Sequence, residues 1–184
     1  MDITTRSTMA WTEHGKEFRF RTEQDIWNCI QMVTQDRPYV LYRGSCGFIF
    51  AHTPEEYLRQ MLADQELYKK QSGLRVRVND VYIERSLLNK FREDKEIVEI
   101  AQSMASYYAA EGFPTIYNIW SQAADSYVIT YVISIVSPAD GKKYTWNDDD
   151  KYQREKAVLE TIVYRVTGKN KPEEEFDFRT QEYY

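Results

Sequence analysis

The chain has 184 residues, 42% hydrophobic and 29% charged, with only seven Gly and five Pro, which excludes a disordered or low-complexity chain and allows one sizeable core. Its 24 Lys and Arg against 29 Asp and Glu give a net charge of −5, which argues against a protein held to nucleic acid by general positive charge. Two cysteines and two histidines are too few for a disulfide framework or a recognisable zinc spacing. No apolar run reaches membrane-spanning length, and Trp11, Glu13, Glu17, Glu23 and Asp25 fall where a signal peptide needs apolar residues, so a soluble cytoplasmic protein is expected.

In chain order, Lys16 to Arg21 alternates Phe18 and Phe20 with charged residues, the period of a half-buried strand. Thr22 caps a predicted helix over 22–35, with Glu23 and Asp25 at its positive end and Ile26, Ile30 and Val33 at helical spacing. Tyr39 to Arg43 and Phe48 to His52 read as two short strands around a Gly44–Gly47 loop. Thr53, Pro54 and Glu56 form a capping box that opens a helix over 53–72. Leu74 to Glu84 reads as a hairpin turning at Asn79 and Asp80, which would set Arg77 opposite Tyr82 and Arg75 opposite Glu84.

A long helix is expected over 86–111, interrupted near Asp94, with Ile97, Ala101, Met104, Ala105 and Tyr108 as its core stripe. Ile116 to Ser121 is a short apolar piece of ambiguous type. The run Ser126 to Val136 favours an extended backbone, carries its bulkier residues at odd positions, and reads as the central strand, with helices on that bulkier side. A turn at Asp140-Gly141, a returning strand over 142–146 and a final helix over 149–167 follow. The expected class is α+β with a mostly antiparallel sheet, as a single domain over 1–168 and an acidic, aromatic tail over 169–184.

No catalytic constellation, metal site or cofactor fingerprint emerges: the glycines stand singly at turns, without a phosphate loop or nucleophile elbow. Cys46 with His52 or His14 would need a third orienting group to make a thiol nucleophile, and a hairpin loop accounts for it more simply. Cys29 reads as packing, and Asp148, Asp149 and Asp150 as acids favoured at a helix N-terminus. Asp80 and Glu93, with Lys95, would suit a small metal-dependent nuclease if the chain brought them together. Arg19, Arg21, Arg75 and Arg77, interleaved with aromatic residues, offer an alternative surface for single-stranded nucleic acid.

Fifteen Tyr, four Trp and eight Phe supply contact area of the kind enriched at protein interfaces, so some of these rings are expected outside. The C-terminal stretch combines Glu173, Glu174, Glu175 and Asp177 with Phe176, Phe178, Tyr183 and Tyr184, so that carboxylates can meet a basic groove while rings fill pockets. In its size, acidic balance, aromatic-rich body and KPEEEFDFRTQEYY end, the chain resembles anti-CRISPR proteins, the small phage and mobile-element inhibitors of RNA-guided DNA nucleases. That resemblance implies a non-enzymatic inhibitor whose partner is a nucleic-acid-processing enzyme with a basic surface, and it transfers no functional residue.

Overall fold

The computed structural model describes residues 16–20, 23–68, 74–142 and 149–169. Among these residues five strands, β1 (Lys16–Phe20), β2 (Val40–Cys46), β3 (Leu74–Glu84), β4 (Thr115–Ala123) and β5 (Ser126–Ile133), form one antiparallel sheet in the order β1-β3-β5-β4-β2. Among the described residues four helices accompany them: α1 (Glu23–Thr34), α2 (Pro54–Tyr68), α3 (Glu93–Ala110) and α4 (Asp149–Thr167). The fold is therefore α+β, and β5 is its central strand.

The pleat sorts β5 into two faces. Odd residues Tyr127, Ile129, Tyr131 and Ile133 join Ile97, Ile100 and Met104 of α3 and Val158, Leu159 and Ile162 of α4 in the larger core. On the opposite face Val132, with Val76, Val78 and Ile116, packs against Ile26, Ile30 and Val33 of α1 and Met61 of α2. Helices thus cover both faces, the larger core lying on the side of the bulkier residues.

Local chemistry fixes the helix ends. At α2 the Thr53 hydroxyl accepts the Glu56 N–H at 3.3 Å while the Glu56 carboxylate accepts the N–H groups of Thr53 and His52 at 3.1 and 2.6 Å. Those bonds, the one from His52 first, hold the Glu56 carboxyl below the usual carboxylate range. α3 ends in a Schellman arrangement: Gly112 adopts φ +103°, its N–H reaches the Ala109 carbonyl, and the Phe113 N–H reaches the Tyr108 carbonyl.

Three expectations are corrected. Leu74 to Glu84 is one continuous strand, not a hairpin; Asn79 and Asp80 face Tyr131 and Thr130 of β5, while Arg77 and Arg75 face Glu17 and Arg19 of β1. The turn reading failed because Asn79 is polar for an interior reason: it accepts from the Arg77 guanidinium at 3.0 Å and donates to the Tyr108 hydroxyl at 3.0 Å. The Gly44–Gly47 stretch is not a hairpin loop, since β2 runs through Gly44 to Cys46 and residues 48–52 form no strand. The helix expected from residue 86 begins at Glu93. Ahead of it, Arg85–Leu87 is a 3-10 turn and Leu88 is extended, and the buried Glu96 carboxylate draws back the Asn89 N–H and side-chain amide, each at 2.7 Å. The ambiguous piece 116–121 is the core of β4. The Asp140-Gly141 turn forms as expected, Gly141 donating to the Ser137 carbonyl with φ +72°. Most of the expected returning strand, 142–146, lies outside the described residues.

Candidate functional site: the outer edge of β2

The approach to β2 is set by the end of α1. Thr34 turns its hydroxyl back onto the Ile30 carbonyl, Arg43 donates to the Thr34 carbonyl, and the same guanidinium pairs with Asp36 at 2.8 Å. Arg37 bonds the Tyr39 hydroxyl and the Gln35 amide oxygen, while its own carbonyl accepts the Val40 N–H. This network aims the chain into the last position of the sheet.

At Leu41 the register with β4 shifts, a bulge that leaves this side chain 52% exposed. Beyond it β2 pairs regularly to Cys46. Gly44 is required by a close approach: a Cβ there would run into the hydroxyl and ring of Tyr117 on β4. Among the described residues β2 pairs with β4 alone, so its other edge presents unpaired backbone groups. Along that edge lie exposed Tyr39, Leu41 and Tyr42, and in the connection leaving it Ile49 and Phe50, 78% and 83% exposed. A cleft of about 680 Å³ runs alongside, lined by Val33, Asp36, Arg43, His52, Tyr57 and Tyr117 among others. The Tyr57 hydroxyl donates to Ser45 across it at 3.2 Å.

Inward from the edge, the tyrosines form a ladder. Tyr42, Tyr117, Tyr131, Tyr108 and Tyr107 follow one another with ring centroids 6.3, 5.6, 5.5 and 5.8 Å apart. Tyr117 donates to Gln102 at 2.5 Å and Tyr131 to the Ala101 carbonyl at 2.9 Å, and burial raises both phenols above the ordinary tyrosine value. Of the ladder, only Tyr42 is exposed; the rings that stand outside elsewhere include Tyr39, Phe50 and Phe91.

The other candidate groups are dispersed. Asp80 accepts from Thr130 at 2.7 Å, and Thr130 in turn accepts the Trp120 indole N–H, on the face that carries α1 and α2. Glu93 lies on the opposite face, accepting the Tyr127 hydroxyl at 2.7 Å beside Arg85, whose guanidinium stacks 4.5 Å from the Tyr127 ring centre. The sheet thus separates the two carboxylates of the nuclease alternative, and Lys95 is exposed on α3. Cys46 donates to Ser106 of α3 at 3.8 Å, whereas His52 borders the cleft ahead of α2; His14 lies outside the described residues. Cys29 packs beside the α1 core, where burial and then Asp25 push its thiol up to about 11.

Of the arginines proposed for nucleic acid, Arg77 is 2% exposed and bonded to Asn79, which removes it from any phosphate surface. Arg19 and Arg75 are register partners in β1 and β3, and Arg21 lies outside the described residues. Asp149 and Asp150 open α4, and Asp148 is outside. The residues expected to contact a partner, Glu173 to Phe178, Tyr183 and Tyr184, also lie outside. What can be placed is the point from which that segment departs. α4 ends at Thr167, Gly168 at φ +70° donates to the Tyr164 carbonyl, and the Lys169 ammonium donates to the carbonyls of Leu88 and Ser86 at 2.9 and 3.4 Å.

No family model matches the chain. A search of curated proteins finds no match either. Among solved structures, one from work on the molecular basis of vancomycin resistance transfer in Staphylococcus aureus aligns with a TM-score of 0.52 at 10% identity, over 89% of this chain and 96% of that one. At that identity the likeness is one of fold.

Proposed function

We propose that this chain is a non-enzymatic inhibitor that binds a nucleic-acid-processing enzyme, in the first place an RNA-guided DNA nuclease, and keeps it from engaging or cutting DNA. The observation that supports the reading is the acidic, aromatic sequence that follows Lys169: that residue is fastened to the β3–α3 connection, and Glu173, Glu174, Glu175, Phe176, Asp177 and Phe178 come within the next ten residues of the sequence. Carboxylates of that sequence would meet a basic groove while its rings supply the desolvated contacts that dominate interface energies. The inward-facing tyrosine ladder supports the same division of labour, because much of the body's own aromatic surface is already occupied.

Binding to a preassembled RNA-guided nuclease, followed by fluorescence anisotropy at rising salt, tests this reading. Affinity should fall steeply with ionic strength, and replacing Glu173, Glu174 and Glu175 by Gln should weaken it by about tenfold and flatten the salt dependence. Binding indifferent to both changes would remove the arm from the mechanism.

A further inference from the structure

We propose that the outer edge of β2 is where a second copy of this chain docks, the two β2 strands pairing antiparallel about a two-fold axis so that the sheets of both copies become continuous. Alternate N–H and C=O groups along Tyr42 to Cys46 point away from β4, and among the described residues no strand meets them. Another extended backbone is what satisfies such a row.

The side chains select a second copy over an unrelated peptide. Centring the axis on Gly44 sets Arg43 against Ser45 of the other copy and Tyr42 against its Cys46, so no like charges face each other directly. Each Arg43 arrives with its own Asp36 at 2.8 Å, and the two ion pairs then lie on one face of the joined sheet with signs able to alternate. The local charge, Asp36 with Arg37 and Arg43, is of mixed sign although the whole chain is acidic, so the apposition meets no local negative repulsion. Apolar groups stand at both ends of the strand, Tyr39 and Leu41 at its start and Ile49 and Phe50 past its end. Antiparallel pairing brings the start of one strand to the end of the other, so each set is covered by its counterpart, which is the self-complementarity an isologous contact requires. A single added peptide strand would satisfy the backbone but leave Ile49 and Phe50 in water.

Sedimentation of the full chain across the micromolar range tests the proposal, with a dimer expected near twice the 21.9 kDa chain mass. Leu41→Lys combined with Phe50→Lys, both at exposed positions, should weaken self-association by roughly tenfold or more. Tyr42→Cys, treated with oxidised glutathione, should yield a disulfide-linked dimer through Cys46 of the other copy, and Cys46→Ser in the same background should abolish it. A monomer at every concentration overturns the proposal, as does a dimer that tolerates both lysines and forms no such cross-link. A monomer whose β2 amides are nonetheless protected from hydrogen exchange overturns it too, and assigns the edge to another segment of the same chain.

Discussion

Gly44 is the point at which the sheet edge and the tyrosine ladder meet, and its lack of a Cβ is what lets the Tyr117 ring lie over β2. Gly44→Ala should destabilise the protein by about 1–3 kcal/mol through overpacking, read as a lowered denaturation midpoint at unchanged slope; wild-type stability would contradict the close approach. Asp64 on α2 presents the opposite case, a residue whose replacement should help. It is 5% exposed, Gln60 bonds one carboxylate oxygen at 2.9 Å, the other has no partner among the described residues, and burial raises its pKa. Below the ordinary aspartate pKa the group is neutral in both states; as pH rises through that value the unfolded chain loses its proton first, and stability falls until the folded group has ionised too. Asp64→Asn should therefore be more stable at neutral pH by about 1 kcal/mol, a gain of ~2–4 °C, and near wild type in acid. Thermal unfolding at the two pH values checks this, and equal stabilisation at both would contradict it. Neither residue was legible in the sequence. Gly44 and Gly47 together look like a loop, and nothing local marks Asp64 as facing inward.

At the scale of elements, β3 offers the sharpest contrast between two readings of the same residues. In a hairpin turning at Asn79 and Asp80, Asp80→Gly would create a favourable turn dipeptide. In a continuous strand the same change removes the acceptor of the Thr130 hydroxyl and adds backbone entropy to the unfolded state. A loss of about 1–2 kcal/mol in chemical denaturation is expected; an unchanged or raised stability would contradict the strand. The elements that were legible declare themselves locally. The capping box at Thr53 to Glu56 forms as its spacing requires, and the β-branched run of β5 can be nothing but a buried strand once helices lie on both faces. What was not legible depends on partners far along the chain. Asn79 is polar because of Tyr108, the 85–92 connection does not continue the α-helix because Asn89 holds Glu96, and Tyr117, Tyr131 and Tyr108 are inside because strands and helix stack them. The exposed pairs Leu41-Tyr42 and Ile49-Phe50 were visible as apolar residues flanking two glycines, but only the strand order shows that they border an open edge.

Over the whole molecule, the two proposed contacts draw on different parts of the chain. Among the described residues β2 is an outer strand of the sheet, and Lys169, which precedes the acidic stretch in the chain, bonds the β3–α3 connection. If two copies join through β2, each pair carries two arms, and engagement of two basic sites on one target would raise avidity by ~10²–10⁴ where the geometry permits. The inhibitor reading does not depend on that pairing, because each chain carries its own acidic, aromatic sequence. Its most direct test is a plasmid-cleavage titration with a preassembled RNA-guided nuclease, in Mg²⁺, with increasing amounts of this protein and the protein alone as control. Protection of the plasmid should grow with the amount added and weaken when residues 171–184 are removed, and DNA should stay intact in the control lane. Undiminished cleavage at saturating protein, or cutting by the protein alone, would contradict it.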